Sequence, residues 1–204
     1  LAPRDNNAEQ RIILATISRI EKQGLENLTI RSIAKEAGVN SAAISYYFRS
    51  KDNLVAMAMK TTLDHLFEDL VEVVNDDSLE PEERVAEVLD YLIDGATRYP
   101  GITRAHMYAS MSGAEVADPF AGRMNDILTK LKKKMAGPDA ANVTGEEAGK
   151  GSRELDLRLV SLFSSALLPA IMPSFYREFS GIDFRDSRTR KSYIRTIMSE
   201  FRAG

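Results

Sequence analysis

The chain has 204 residues, 44% of them hydrophobic and 28% charged, with a formal net charge of −3 and no cysteine. That length supports a small and a larger domain with a substantial core. The lack of cysteine excludes disulfides and thiolate zinc sites and fits a reducing cytoplasm, where the chain is expected to work. No apolar run approaches the roughly 18 residues a membrane span needs. The opening LAPRDNNAEQ has no apolar signal core and no initiator methionine, and is expected to be a trimmed start.

Helical spacing predicts a first helix from about Asn6 to Gln23, with Ile12, Thr16 and Ile20 on one face and Ile13 and Ile17 beside them. Gly24 ends it, and Leu25 and Leu28 pack beneath. The next stretch, LTIRSIAKEAGVNSAAISYYFRSKDNLV from Leu28 to Val55, is the most informative in the chain. Thr29 is placed to cap a second helix whose Ile30, Ile33, Ala34 and Ala37 form a narrow apolar face. Gly38 follows where that helix must stop, because glycine enters the left-handed region without strain. Val39 returns to the core, and Asn40 or Ser41 caps a third helix held by Ile44 and Phe48. Its opposite face carries Ser41, Ala42, Ala43, Ser45 and Tyr46, small or hydrogen-bonding side chains suited to a groove about 12 Å wide. Ser50 caps a fourth helix, and Lys51 stands at its positively polarised start, where an anion is favoured. Two short helices around a glycine turn, followed by Tyr46-Tyr47-Phe48-x-Ser50-Lys51, form the layout of a helix-turn-helix DNA reader.

The fourth helix is predicted to run to about Asn75, long enough to leave the small domain and link it mechanically to the larger one. Asp76 to Glu80 reads as a loop, and Pro81 opens a fifth helix with Glu82 and Glu83 in its first turn. Tyr99-Pro100-Gly101 stops that helix. A short sixth runs from about Ile102 to Met111, before a break at Gly113. A seventh, from Pro119 to about Met135, ends in Lys130, Lys132, Lys133 and Lys134, placed as helix-end cations are favoured. Gly137 to Ser152 reads as a flexible loop. The eighth helix begins near Arg153 and is apolar nearly all round, with a kink or early break expected at Pro169 and Pro173. Gly181 closes the region. Asp186 or Ser187 caps a ninth helix striped by Tyr193, Ile194, Ile197, Met198 and Phe201. No β pattern and no repeat is visible. The expected architecture is all-α, about nine helices: a three-helix head over residues 1–50 and a six-helix body over residues 51–204.

With RIILATISRIEKQGLENLTI before it and SKDNLV after it, the helix-turn-helix stretch resembles the N-terminal domain of TetR-family transcriptional regulators, over about the first quarter of the chain. The resemblance implies that the third helix enters the major groove. Matched position by position, Ser41, Ala42, Ala43 and Ser45 fall on its reading edge, and Asn40 is expected among the DNA-binding residues. Arg31 falls where an arginine reaches a base, and Thr29, Tyr46, Tyr47 and Lys51 fall at phosphate-contacting positions. The chemistry agrees: arginine bridges guanine, alanine methyls pack on thymine methyl, and tyrosine hydroxyls and lysine grip phosphate without reading sequence. Core packing beside Phe48 is the alternative role for either tyrosine. The family often has glycine and threonine before the Ile44 position; alanine stands at both here, which removes a hydroxyl and leaves the operator sequence open.

The resemblance also implies a homodimer built on the last two helices, with Leu162, Ala166, Ile194, Ile197, Met198 and Phe201 at the interface, and a small-molecule effector site in the body. Tyr91, Tyr99, His106, Met107, Tyr108, Met111, Phe120, Met124 and Phe163 are the candidates for that site; methionine and aromatic residues suit an adaptable apolar cavity, and they equally suit plain core.

The negative total charge fits poorly with DNA until its distribution is read. Up to Val55, eight basic residues against six acidic leave +2, so the rest carries −5. Between Asp64 and Asp94, Arg84 is the only base. An acidic body and a mildly basic head orient a molecule on a duplex, although a run of acids is also simply a solvated face. Enzyme chemistry finds no support. The two histidines, His65 and His106, lack metal-ligand spacing, no HExxH or GxSxG occurs, and the GKG at 149–151 lacks the rest of a phosphate loop. No cofactor or metal is expected. The sequence therefore points to a ligand-responsive transcriptional regulator, a repressor released from a palindromic operator. An all-helical carrier or interaction protein with a vestigial helix-turn-helix, or an effector-independent activator, remains the alternative.

Overall fold

The structure is a computed structural model and describes residues 6–111, 119–136 and 146–203. Among these there is no strand, and ten helices follow one another: α1 (Asn6–Gln23), α2 (Ile30–Ala37), α3 (Ser41–Phe48), α4 (Lys51–Asn75), α5 (Pro81–Arg98), α6 (Pro100–Met111), α7 (Pro119–Ala136), α8 (Glu146–Ile171), α9 (Pro173–Ser180) and α10 (Ser187–Ala203). They form two compact units. The first holds α1 to α3, α4 up to Leu66, and α6; the second holds α4 from Phe67, α5, and α7 to α10.

In the first unit, the four-residue spacing of α1 buries Ile12, Thr16 and Ile20 completely. Thr16 satisfies its hydroxyl by donating to the Ile12 carbonyl at 2.8 Å, so a polar group sits in the core without loss. Leu28, Ile33, Ile44, Phe48, Leu54, Ile102 and Ala105 complete this core. A head boundary near residue 50 follows the helix-turn-helix alone. Packing adds the start of α4 and all of α6, because Ile102 and Ala105 enter the same core. Pro100 opens α6 rather than interrupting the chain, since the first helical position has no use for the missing N–H. Gly101 then meets α1 so closely that a Cβ there would lie 2.4 Å from the Glu21 carbonyl oxygen. The Ile102 amide donates to Glu21 Oε2 at 3.0 Å across the same crossing.

In the second unit, α5 buries Val85, Val88, Leu89 and Ile93, while Ile127, Leu131, Leu159, Leu162 and Phe184 bring the other helices into the interior. Arg84 is buried and donates to the carbonyls of Asp76 and Leu79 at 2.6 and 2.9 Å. The single base of the acidic stretch thus closes a loop instead of facing solvent. Arg190 of α10 is also buried: its Nε lies 2.7 Å from Asp90 Oδ1 and its Nη1 lies 2.9 Å from Asp94 Oδ1, both carboxylates being on α5.

The C-terminal half differs from the sequence expectation in three ways. First, α8 starts at Glu146, seven residues before Arg153, so residues 146–152 are helical and not loop; residues 137–145, like the expected break at Gly113, lie outside the described residues. Second, the described residues form ten helices against the expected nine or so. The chain passes through Pro169 without leaving the helix but breaks at Met172, and α9 leaves at 86° to α8. The ring of Pro173 pushes the preceding residue out of the helical region, and Met172 takes φ −125° and ψ 55°. Third, the lysines of α7 do more than end a helix, since Lys132 pairs with Asp156 at 2.5 Å and Lys134 with Asp77 at 2.7 Å. No single described helix is long and apolar enough to cross a membrane.

Candidate nucleic-acid interface

The α2–turn–α3 segment is locked by its own caps. The Ser32 amide donates to Thr29 Oγ1 at 3.1 Å, and the Thr29 amide donates back to Ser32 Oγ at 3.3 Å, so serine fills the place glutamate usually takes in a capping box. The Thr29 hydroxyl accepts in this pair and keeps its own proton to offer outward. Gly38 adopts φ 67°, and the amides of Gly38 and Val39 close the end of α2 on the Lys35 and Ala34 carbonyls. Asn40 then caps α3 by accepting from the Ala43 amide at 2.9 Å.

This framework turns one face of α3 inward and the other outward. Ile44 and Phe48 are buried, while Ser41, Ala42, Ser45 and Tyr46 are exposed and Ala43 is half-buried. Tyr46 is 54% exposed with its ring edge-on to Tyr47, the centroids 5.1 Å apart. Tyr47 packs against the core of the first unit, so the paired tyrosines divide, one outward and one largely structural. Lys51 is half-buried and donates to the Leu28 carbonyl at 3.2 Å, tying α4 to the entrance of α2 before it meets any anion. Arg49 ends α3 at φ 66°, the one non-glycine residue with positive φ among those described. Thr29, Arg31 and Asn40 are exposed.

Sequence reasoning missed a charged cluster beside this ridge. Glu36 of α2 accepts from the Ser18 hydroxyl at 2.6 Å and from Lys22 Nζ at 2.9 Å, with Arg19 Nε at 3.6 Å, all from α1. The Ser18 hydroxyl, then Lys22 and Arg19, hold its carboxyl below the usual range. The partners are 14 to 18 residues apart in the chain, so no local spacing reveals them. A hollow of about 540 Å³ opens here, lined by Arg19, Thr29, Arg31, Ser32, Lys35 and Glu36.

Residues 12–58 match the family model described as bacterial regulatory proteins, tetR family. Over these residues the chain is similar to the TetR family. The match ends within α4, at the limit of the helix-turn-helix core just described. Among curated TetR-type relatives, the chain is 31% identical over 81 residues to the HTH-type transcriptional regulator BetI of Stenotrophomonas maltophilia, and 35% identical over 80 residues to the HTH-type transcriptional regulator PksA of Bacillus subtilis. These alignments cover 40% and 39% of this chain and 41% and 38% of those proteins, so the chain spans about two fifths of the curated relatives it matches. A TetR/AcrR-family transcriptional regulator of Thermobifida fusca superposes with a TM-score of 0.68 at 16% identity, covering 95% of this chain and 97% of that one, which extends the likeness of fold to the whole chain.

The residues expected to bind an effector divide between the two units. His106, Met107, Tyr99, Tyr108 and Met111 belong to the first unit, and Tyr91, Phe120, Met124 and Phe163 to the second. Tyr99, Tyr108 and Met111 are exposed, Tyr108 by 69% and Met111 by 74%, so they line no interior among the described residues. Tyr91 donates its hydroxyl to Asp69, and Phe120 packs 5.9 Å from Phe67. His106 is buried, its Nε2 2.9 Å from Thr62 Oγ1. Thr62 directs its single hydroxyl proton at the Met59 carbonyl, 2.8 Å away, so His106 Nε2 is the donor.

The residues expected at a dimer interface all lie on α8 and α10. Leu162, Ala166, Ile194, Met198 and Phe201 are buried within the second unit and Ile197 is half-buried, because the apolar stripe of α10 faces α5 and α8. The outward face of α10 carries Arg188, Lys191 and Arg195 instead. The apolar side chains exposed on α8 are Leu157, Val160, Leu167 and Leu168.

Proposed function

We propose that this chain is a DNA-binding transcriptional regulator that inserts α3 into the major groove. One observation supports it above the rest: α3 buries Ile44 and Phe48 and leaves Ser41, Ala42, Ser45 and Tyr46 as a free ridge with Arg31 exposed beside it. In this reading Ser41, Ala42, Ala43, Ser45 and Arg31 face base edges, and Thr29, Asn40, Tyr46, Tyr47 and Lys51 serve the backbone. Tyr47 and Lys51 have second, structural duties, so their alanine variants lose stability as well as affinity.

One α3 reads only a few base pairs, so the protein acts as a homodimer on a palindromic operator. The strip Leu157, Val160, Leu167 and Leu168 on α8 supplies an exposed apolar face for the second copy. Regulation is repression relieved by a small-molecule effector in the cytoplasm. The His106–Thr62 hydrogen bond joins α6 to α4, and α4 follows α3 after two residues, so a ligand that breaks the bond has a short route to the reading helix. Its effect is bounded by its difference in affinity for the two states.

Selection of bound sequences from random duplex DNA tests the reading. A palindromic consensus supports both DNA reading and the dimer. A single half-site supports α3 without the dimer, and the absence of any enriched sequence overturns the proposal.

A further inference from the structure

The hollow between α1 and α2 is more than a gap between helices. Arg19, Arg31 and Lys35 stand on its wall with Thr29 and Ser32, and among the described residues lining it Glu36 is the only acid. A second hollow of about 280 Å³ opens on the other side of Glu36, with Arg11 on its wall and no further acid among the residues that line it. The cations of the first hollow differ in their commitments. Arg19 is turned to Gln23 Oε1 at 2.5 Å and lies near Glu36, while Lys22 is paired with Glu36. Arg31 and Lys35 are exposed, and neither has an ion-pair partner among the described residues.

We propose that this hollow seats a phosphate of the DNA backbone, gripped by Lys35 together with the Thr29 hydroxyl, and that Glu36 limits the grip by withholding Arg19 and Lys22 from the duplex. The inference rests on the reading of the chain as a DNA-binding regulator and adds to it a contact and a brake. Lys35 and Thr29 border one opening, and Arg31 on the same wall stays free for a base edge. A carboxylate so near a polyanion repels it. Glu36 stays ionised because Ser18, Lys22 and Arg19 surround it, and in doing so it cancels one positive charge on this face. The consequence is a low affinity for DNA in general, which widens the gap between the operator and all other sites.

Salt titration of binding by the full chain, on its selected operator and on random duplex, separates the roles. Lys35→Ala weakens both DNAs by a similar factor and makes the plot of log affinity against log salt shallower by about one, while Lys35→Arg restores both. Glu36→Gln tightens both DNAs and steepens the same plot by about one. An unchanged slope in Lys35→Ala, or weaker binding by a folded Glu36→Gln protein, overturns the proposal. If Glu36→Gln does not fold, as judged by circular dichroism, the Lys35 slope alone decides. A free-phosphate site would show as stabilisation by inorganic phosphate at matched ionic strength that Lys35→Ala abolishes while DNA binding stays intact, and that result also overturns the seat. If the unaltered protein binds neither DNA, the regulator reading falls and the seat with it.

Discussion

In the first unit Glu36 gathers Ser18, Arg19 and Lys22 in reach of water; in the second, Arg190 is 6% exposed between Asp90 and Asp94. Both clusters tie two helices through one charged side chain, α1 to α2 and α5 to α10. Their surroundings give them different consequences. A pair in water is screened and contributes little to folding, so its effect falls on the surface charge that a partner meets. A pair withdrawn from water has no solvent to fall back on, so removing one member leaves an uncompensated charge inside.

The largest expected effect is therefore in the second unit. Arg190→Ala leaves Asp90 and Asp94 facing each other without their common cation and should destabilise the fold by about 3–5 kcal/mol, read by urea denaturation. A loss below 1 kcal/mol would place this cluster with the solvated ones. In the first unit the largest loss comes from a backbone contact and not from a charge. Gly101→Ala drives a methyl into α1 and should cost about 1–3 kcal/mol, in a melt that also reports whether α6 separates from α1 before the rest unfolds. Asn40→Ala removes the acceptor at the start of α3 and should cost about 1 kcal/mol, with operator affinity falling further than stability explains, since the cap orients the reading ridge. Glu36→Gln should change stability by no more than about 1 kcal/mol while changing DNA binding on every sequence, the reverse of the Arg190 outcome.

The smallest effect concerns acid. Asp183 is half-buried, and hydrogen bonds from Arg185 hold its carboxyl down at about 2 against an ordinary 3.8. Because the folded value is the lower one, the pairing stabilises the protein above about pH 4 and that contribution is lost as pH falls towards 2. Glu36 is lowered in the same direction. Denaturation at pH 5 and pH 2.5 should show the Asp183→Asn protein losing slightly less stability than the unaltered one over that interval. An equal loss would mean that the Asp183–Arg185 pair is no tighter in the folded chain than in the unfolded one.

Two short helices extend the comparison. α3 and α9 are each eight residues long, and each leaves an aromatic ring in water. α3 has a side-chain cap and two buried anchors. α9 has no side-chain cap and no buried residue, and Phe179 is 81% exposed, stacked on Phe175. The ridge of α3 is made of hydroxyls and methyls that a base edge can answer, whereas α9 offers flat apolar rings. In the proposed reading, α3 is set apart from α9 by its rigid mount and the hydrogen-bonding chemistry of its exposed side, not by solvent exposure alone.

Where local chemistry decides structure, the amino-acid order was enough. Caps at Thr29 and Asn40, the left-handed Gly38, the bounds of α1 and the start of α5 at Pro81 all follow from interactions between residues no more than about five apart. For the same reason the ridge of α3 was legible, since burying Ile44 and Phe48 turns its neighbours outward. Tertiary structure alone decided which apolar faces are spent inside a protomer. α8 read as apolar nearly all round and α10 as an apolar stripe, and only their packing on α5 separates the buried Leu162, Ile194 and Met198 from the exposed Leu157 and Val160. It also decided the distant pairings, Glu36 with Ser18 and Lys22, Arg190 with Asp90 and Asp94, and Gly101 against Glu21, because a contact between residues far apart in the chain depends on how helices cross and leaves no periodic trace in the sequence.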